Sequence, residues 1–154
     1  MSLTVGTDTY LDLEGAAAYF NDRLHSQAWV AATDPDRERA LKTATRLLDT
    51  LDYQGVRTSR TQGLAWPRLC IMDPRGSAVP GNTVPTFVSA ACAEWGIWLL
   101  SHDPAQPVHT VTRKQVGDLN VELAASLPDA LPPLVRAYLA PFLSGSQNTA
   151  QIVP

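Results

Sequence analysis

The segment from residue 85 to residue 102 constrains this fold most. After Pro85, the residues Phe87, Val88, Ala91, Cys92, Trp95, Trp98, Leu99 and Leu100 wrap well past one helical stripe. A helix apolar nearly all round is either central to a core or buried by a partner. The rest of the chain has to be built around it. Thr83-Val84-Pro85 is its start signal, and His102 suits the negative end of such a helix.

The other strong start signal is Asp34-Pro35-Asp36, which reads as an N-cap, a proline at N1 and an acid in the first turn. It predicts a helix to about Asp52, about 27 Å long, with Ala40, Leu41, Ala44, Leu47, Leu48 and Leu51 as its apolar stripe. Arg37, Arg39, Lys42, Arg46 and Asp49 fall on the opposite, solvated face. Upstream, Asp12 caps a shorter helix over residues 13–24, with Leu13, Ala16, Ala17, Phe20 and Leu24 on one face. Trp29 falls in a short turn or helix just beyond.

Downstream, Val108, Thr110 and Thr112, then Leu119, Val121 and Leu123, recur with a period near two on either side of Gly117-Asp118. That pattern predicts a β-hairpin over residues 108–123. Pro132 and Pro133 open a last helix over residues 134–143, which Pro141 kinks or ends. Residues 144–154 are polar and form no core pattern, so they read as a flexible C-terminal arm. The expected fold is mainly α: a small helix bundle, one domain over residues 1–143, with one hairpin and a long irregular loop.

That loop, residues 53–84, is rich in Gly, Pro, Ser and Thr and shows no sustained periodicity over roughly 30 residues. It contains Gly63-Leu64-Ala65-Trp66-Pro67-Arg68. A tryptophan in a loop either pins the loop to a core or awaits a partner.

At 154 residues the chain is long enough to bury a core without staples. The 12 prolines predict an angular fold with firm punctuation. A formal net charge of −3 gives no general attraction to nucleic acid or anionic lipid. Two cysteines make neither a disulfide framework nor a zinc site and suit a reducing compartment. No apolar run reaches the roughly 18 residues needed to span a membrane, and the N-terminus lacks a signal-peptide pattern. The expectation is a soluble protein made in a cytoplasm.

Catalytic signatures are absent from the sequence: no phosphate-binding glycine loop, no H-E-x-x-H and no G-x-S-x-G. His25, His102 and His109 have no ligand-like spacing. A pairing of Cys70 or Cys92 with a distant histidine stays open, although a cysteine amid Ala and Trp is ordinarily packing. No catalytic, cofactor-binding or metal-binding residue is expected. One patch departs from the acidic average. Arg57, Arg60, Arg68 and Arg75 against Asp73 give residues 53–75 a net +3, leaving −6 for the remainder. Basic residues interleaved with Tyr53 and Trp66 are the composition that binds single-stranded nucleic acid. The competing reading has Trp66 plugged onto the helices and the arginines facing water or a neighbouring acidic surface.

The stretches "LTVGTDTYLDLEGAAAYFNDRL", "AWVAATDPDRERALKTATRLLDTLDYQGVRT" and "QGLAWPR" resemble, in order and spacing over residues 3–100, a group of phage and prophage proteins. The group is labelled DnaT-like single-stranded-DNA-binding. It also resembles the head–tail adaptor, or connector, proteins of long-tailed phages. The most specific motifs are Tyr10 with Tyr19-Phe20, "ALKTATRLLD" from Ala40 to Asp49, and Leu64 to Arg68; "LPPLVRAYLAPFL" fits more loosely.

The adaptor resemblance implies a non-enzymatic virion protein. It would form a homo-oligomeric ring, commonly dodecameric, between the portal and a tail, stopper or terminator protein, with genomic DNA sliding through without sequence-specific binding. Ring or portal contacts are then expected from Arg57, Arg60, Trp66 and Arg68, from Arg113 and Lys114 in the hairpin, and from Ile152 and Val153 in the arm. The DnaT-like label implies instead an accessory protein that binds single-stranded DNA.

Overall fold

The computed structural model describes residues 3–105 and 131–144, and the backbone of 113–116 and 119–122. The protein is mainly helical. In order, the elements are α1 (Leu13–Asn21), α2 (Gln27–Ala31), α3 (Asp34–Asp49), β1 (Val56–Arg57), β2 (Arg68–Leu69), α4 (Thr86–Leu99), β3 (Arg113–Val116), β4 (Leu119–Glu122) and α5 (Pro133–Leu139), the last running into a 3₁₀ turn over Ala140–Phe142.

Helix α4 is the hub, as its all-round apolar character requires. From Ala91 to Ile97 every residue is buried, and α1, α3 and α5 all pack against it. Small side chains let α3 come close. A Cβ at Gly96 would sit 3.3 Å from Leu41 Cδ2 and 3.9 Å from the Ala40 backbone. Ala40, Ala44, Ala91 and Ala93 are buried with them.

The caps explain where the helices begin. Asp12 accepts the Gly15 amide at 2.8 Å and starts α1. For α3 the cap is Thr33, one residue earlier than expected: its hydroxyl accepts the Asp36 amide, so Asp34 and Pro35 already lie inside the helix. Three helices end sooner than predicted: α1 at Asn21, α3 at Asp49 and α4 at Leu99. Pro141 does end α5, because α-helical bonding gives way to the 3₁₀ turn that contains it.

The stretch 53–84 is largely irregular, as expected, but one short ladder lies within it. Val56 pairs with Leu69 and Arg57 with Arg68 in a short antiparallel ladder. Isolated bridges join Tyr53 to Leu143 and Met72 to Ala78. Two-residue strands carry no periodicity, so the sequence pattern hides them. The predicted hairpin forms over 113–116 and 119–122 in register Arg113↔Glu122 to Val116↔Leu119. Of the C-terminal arm only Ser144 is described, its amide donating to the Asp52 carbonyl at 2.9 Å; residues 145–154, with Ile152 and Val153, lie outside the described residues, as do the side chains of Arg113 and Lys114.

Candidate functional site

The two short strands and the turn between them form an arm whose base is pinned to the bundle by Trp66. This side chain is 1% exposed. Its indole meets Tyr53, Phe87 and Phe142 edge-on, with ring centroids 5.3, 5.4 and 6.4 Å away. Phe87 and Phe142 stack face to face at 3.8 Å. The Trp66-Pro67 peptide is cis. Trp66, counted among the candidate contact residues, is therefore out of a partner's reach, and the loop tryptophan is a core residue. Its Nε1 has no hydrogen-bond partner among the described residues, while the flanking Tyr53 phenol donates to the Leu48 carbonyl at 3.0 Å.

A polar relay ties the same point to the N-terminal segment. Tyr10 Oη donates to Asp49 Oδ1 and accepts the Trp66 amide at 3.1 Å, and Asp49 also accepts the Ala65 amide at 3.1 Å. Burial first, then the Asp49 carboxylate beside it, pushes the Tyr10 phenol far above its ordinary range. Asp49, expected on the solvated face of α3, thus belongs to the arm's anchorage. Its spacing was informative: it follows buried Thr45 by four residues, on the same helical face.

Arg68 also works inward. Its guanidinium donates to the carbonyls of Gln54 (2.8 Å), Gly55 (2.9 Å), Ala65 (3.2 Å) and Tyr53 (3.3 Å). Burial and the neighbouring Arg57 lower its affinity for the proton. Gly55 makes this base possible. It holds φ +69°, and a Cβ there would lie 2.2 Å from the Leu69 carbonyl oxygen.

Arg57 and Arg60 are exposed. Val56 and Leu69 in the same ladder are 58% and 43% exposed. Val56 and Leu69 stand directly opposite each other, so their side chains share one face of the ladder. The arm therefore offers aliphatic groups and cations while its aromatic rings point inward. Tyr53 and Trp66, the two rings that would have made a base-stacking surface, are both buried.

A second polar cluster holds α1, α4 and α5 together. Glu94, 4% exposed, accepts Arg23 Nε at 2.5 Å, Arg23 Nη2 at 2.9 Å and Tyr19 Oη at 2.7 Å. Tyr19 and Tyr138 meet through their phenols at 3.2 Å. Sequence reasoning passed over Glu94, although one carboxylate within an all-apolar helix signals a buried pair. His102 stacks on Trp98 and approaches its carbonyl at 3.0 Å, while Cys92 is buried against Thr45 at 3.4 Å. Among the described residues no three His, Cys, Asp or Glu side chains gather as a metal site would need.

A family model described as "Putative DnaT-like ssDNA binding protein" matches residues 2–153. The chain belongs to this family. The match carries the DnaT-like half of the resemblance read from the sequence, and the comparisons contain nothing that speaks for the head–tail adaptor half. No curated protein and no solved structure matches the chain.

Proposed function

We propose that this protein is a non-enzymatic assembly subunit, a head–tail adaptor that works as a homo-oligomeric ring between the portal and the tail of a tailed phage. The observation that carries the reading is the arm. Exposed Val56 and Leu69 sit with exposed Arg57 and Arg60 on a base locked by Trp66, which is the make-up of a protein-binding surface: apolar groups with arginine at the rim. The negative net charge suits a conduit through which DNA slides without sticking. The test is to localise the protein in purified virions and to ask whether it co-purifies with the portal protein. Presence at the head–tail junction supports the proposal. A protein absent from virions sinks it.

A second reading has a specific observation in its favour: the family description names single-stranded-DNA binding. Arg57, Arg60 and Arg75 would then supply phosphate contacts, with affinity falling steeply with salt. Buried Tyr53 and Trp66 leave this reading without the aromatic platform that sequence-tolerant binders use. Fluorescence anisotropy on oligo-dT separates the two. The adaptor reading expects no complex at physiological salt. A micromolar, salt-sensitive complex lost on Arg60→Ala would establish the DNA-binding one.

A further inference from the structure

Seven large apolar side chains are well exposed among the described residues, and four of them fall into two patches. One is on the arm: Val56 and Leu69, opposite each other in the ladder. The other lies at the α1–α2 turn and along α2, where Leu24 and Val30 are 81% and 70% exposed. These two residues line a groove together with Arg23, His25, Gln27 and Ala31.

The two patches are at opposite ends of α3. Helix α2 leads directly into its N-terminus, and its C-terminus leads through Tyr53 into the arm. The 16 residues of α3 hold the two ends about 24 Å apart.

Their charges differ in sign. On the arm, Arg57 and Arg60 are exposed and have no carboxylate partner among the described residues. At the other end Asp22, Asp34 and Asp36 are exposed. Arg37 pairs with Asp34 and Arg39 with Asp36, both at 2.7 Å, and Arg23 is spent on buried Glu94. Asp22 is left without a cation among the described residues. Asp103 adds a further acid, lining an adjoining groove with Ala28 and Ala31.

We propose that the arm of one copy docks on the α2 end of the next. Val56 and Leu69 would cover Leu24 and Val30, and Arg57 and Arg60 would face Asp22, the neighbouring acid without a cation of its own. The inference deepens the assembly reading and rests on it. Its occupant is a second copy of this chain because one chain carries both halves of a charge-matched pair, on ends that cannot meet within one molecule. Such a contact is head-to-tail: two different surfaces join, so the joined pair keeps one free end of each kind. Repetition closes into a ring if the rotation allows and otherwise runs on as a filament.

The experiment is sedimentation velocity over a concentration series on three proteins: the wild type, an arm variant (Val56→Asp with Leu69→Asp) and an α2 variant (Leu24→Asp with Val30→Asp). All four positions are exposed, and circular dichroism melts check that both variants fold. The wild type is expected to assemble with rising concentration. Each variant alone should raise the dissociation constant about tenfold or more and sediment as a monomer. An equimolar mixture of the two variants should form a dimer and nothing larger, because one intact pair of surfaces remains between them.

An α2 variant that associates as the wild type does would overturn the proposal in favour of an arm-to-arm contact. Undiminished assembly of both variants would overturn the patches while leaving the assembly reading in place. A wild type that stays monomeric and binds oligo-dT would remove both.

Discussion

The phenol of Tyr10 meets the backbone amide of Trp66 at 3.1 Å, joining the N-terminal segment to the base of the arm across 56 residues. The same oxygen donates to Asp49, so three segments share one atom. Tyr10→Phe keeps the ring's packing and removes that atom, leaving the Trp66 amide and part of the Asp49 carboxylate without their partner. The expected cost is about 1–3 kcal/mol, read as a lowered urea midpoint. An unchanged midpoint would mean that water replaces the hydroxyl.

Trp66→Ala should cost about 3–5 kcal/mol, as truncation of a core aromatic does. Trp66→Phe should cost less than half as much, since the indole N–H it removes has no partner among the described residues. Equal losses in chemical denaturation would show that the Nε1 proton is bonded after all.

Arg23 is the only cation placed on buried Glu94 among the described residues. Arg23→Ala leaves that carboxylate unpaired in the interior, at an expected cost of about 3–5 kcal/mol. Arg39→Ala at the exposed pair with Asp36 should leave the melting temperature unchanged. A mild Arg23→Ala phenotype would mean that the hydrogen bond from Tyr19 is enough to hold the Glu94 carboxylate in place.

Tyr10 and Tyr53 are both buried, and burial holds both phenols well above their ordinary value. A raised native pKa favours the protonated phenol in the folded state. The stability it contributes is therefore complete below about pH 10, the unfolded value, and falls as pH rises beyond it. Each such tyrosine should remove about 1.4 kcal/mol per pH unit above that point. The check is phenolate absorbance in an alkaline titration: these two should ionise only as the protein unfolds, and Tyr10→Phe should make the decline shallower. Full titration of all four tyrosines while helical circular dichroism persists would refute this.

Gly55→Ala should destabilise by about 2 kcal/mol or more, combining positive φ with a contact against the Leu69 carbonyl. Gly63→Ala, where a Cβ meets nothing within 4 Å, should be neutral. Thermal melts of the pair report on the arm's base without touching its surface.

The residues that made α4 readable also made it the hub, since a helix with no polar face has one place to go. The start of α3 was legible to within one residue. Thr33 and Asp34 are both cap formers, and only the path of the backbone decides between them. The arm's ladder was not legible, because pairs such as Val56 and Leu69 are set by tertiary contact and leave no periodic trace. Nor was the relay through Tyr10. Its partners, Asp49 and Trp66, stand 39 and 56 residues away, and no local rule reaches that far. Trp66 itself could be narrowed to anchor or contact; three aromatic neighbours from separate segments decided it.

Arg68 gathers carbonyls from Tyr53, Gln54 and Gly55 on one leg of the arm and from Ala65 on the other. With both legs clasped beneath it, the tip at Ser59, Arg60 and Thr61 contributes nothing to the core. Mutational drift there is decoupled from folding. A lineage that changes partners could rewrite those three positions while keeping Trp66, Arg68 and Gly55 as a fixed socket, and the same socket would accept a grafted epitope.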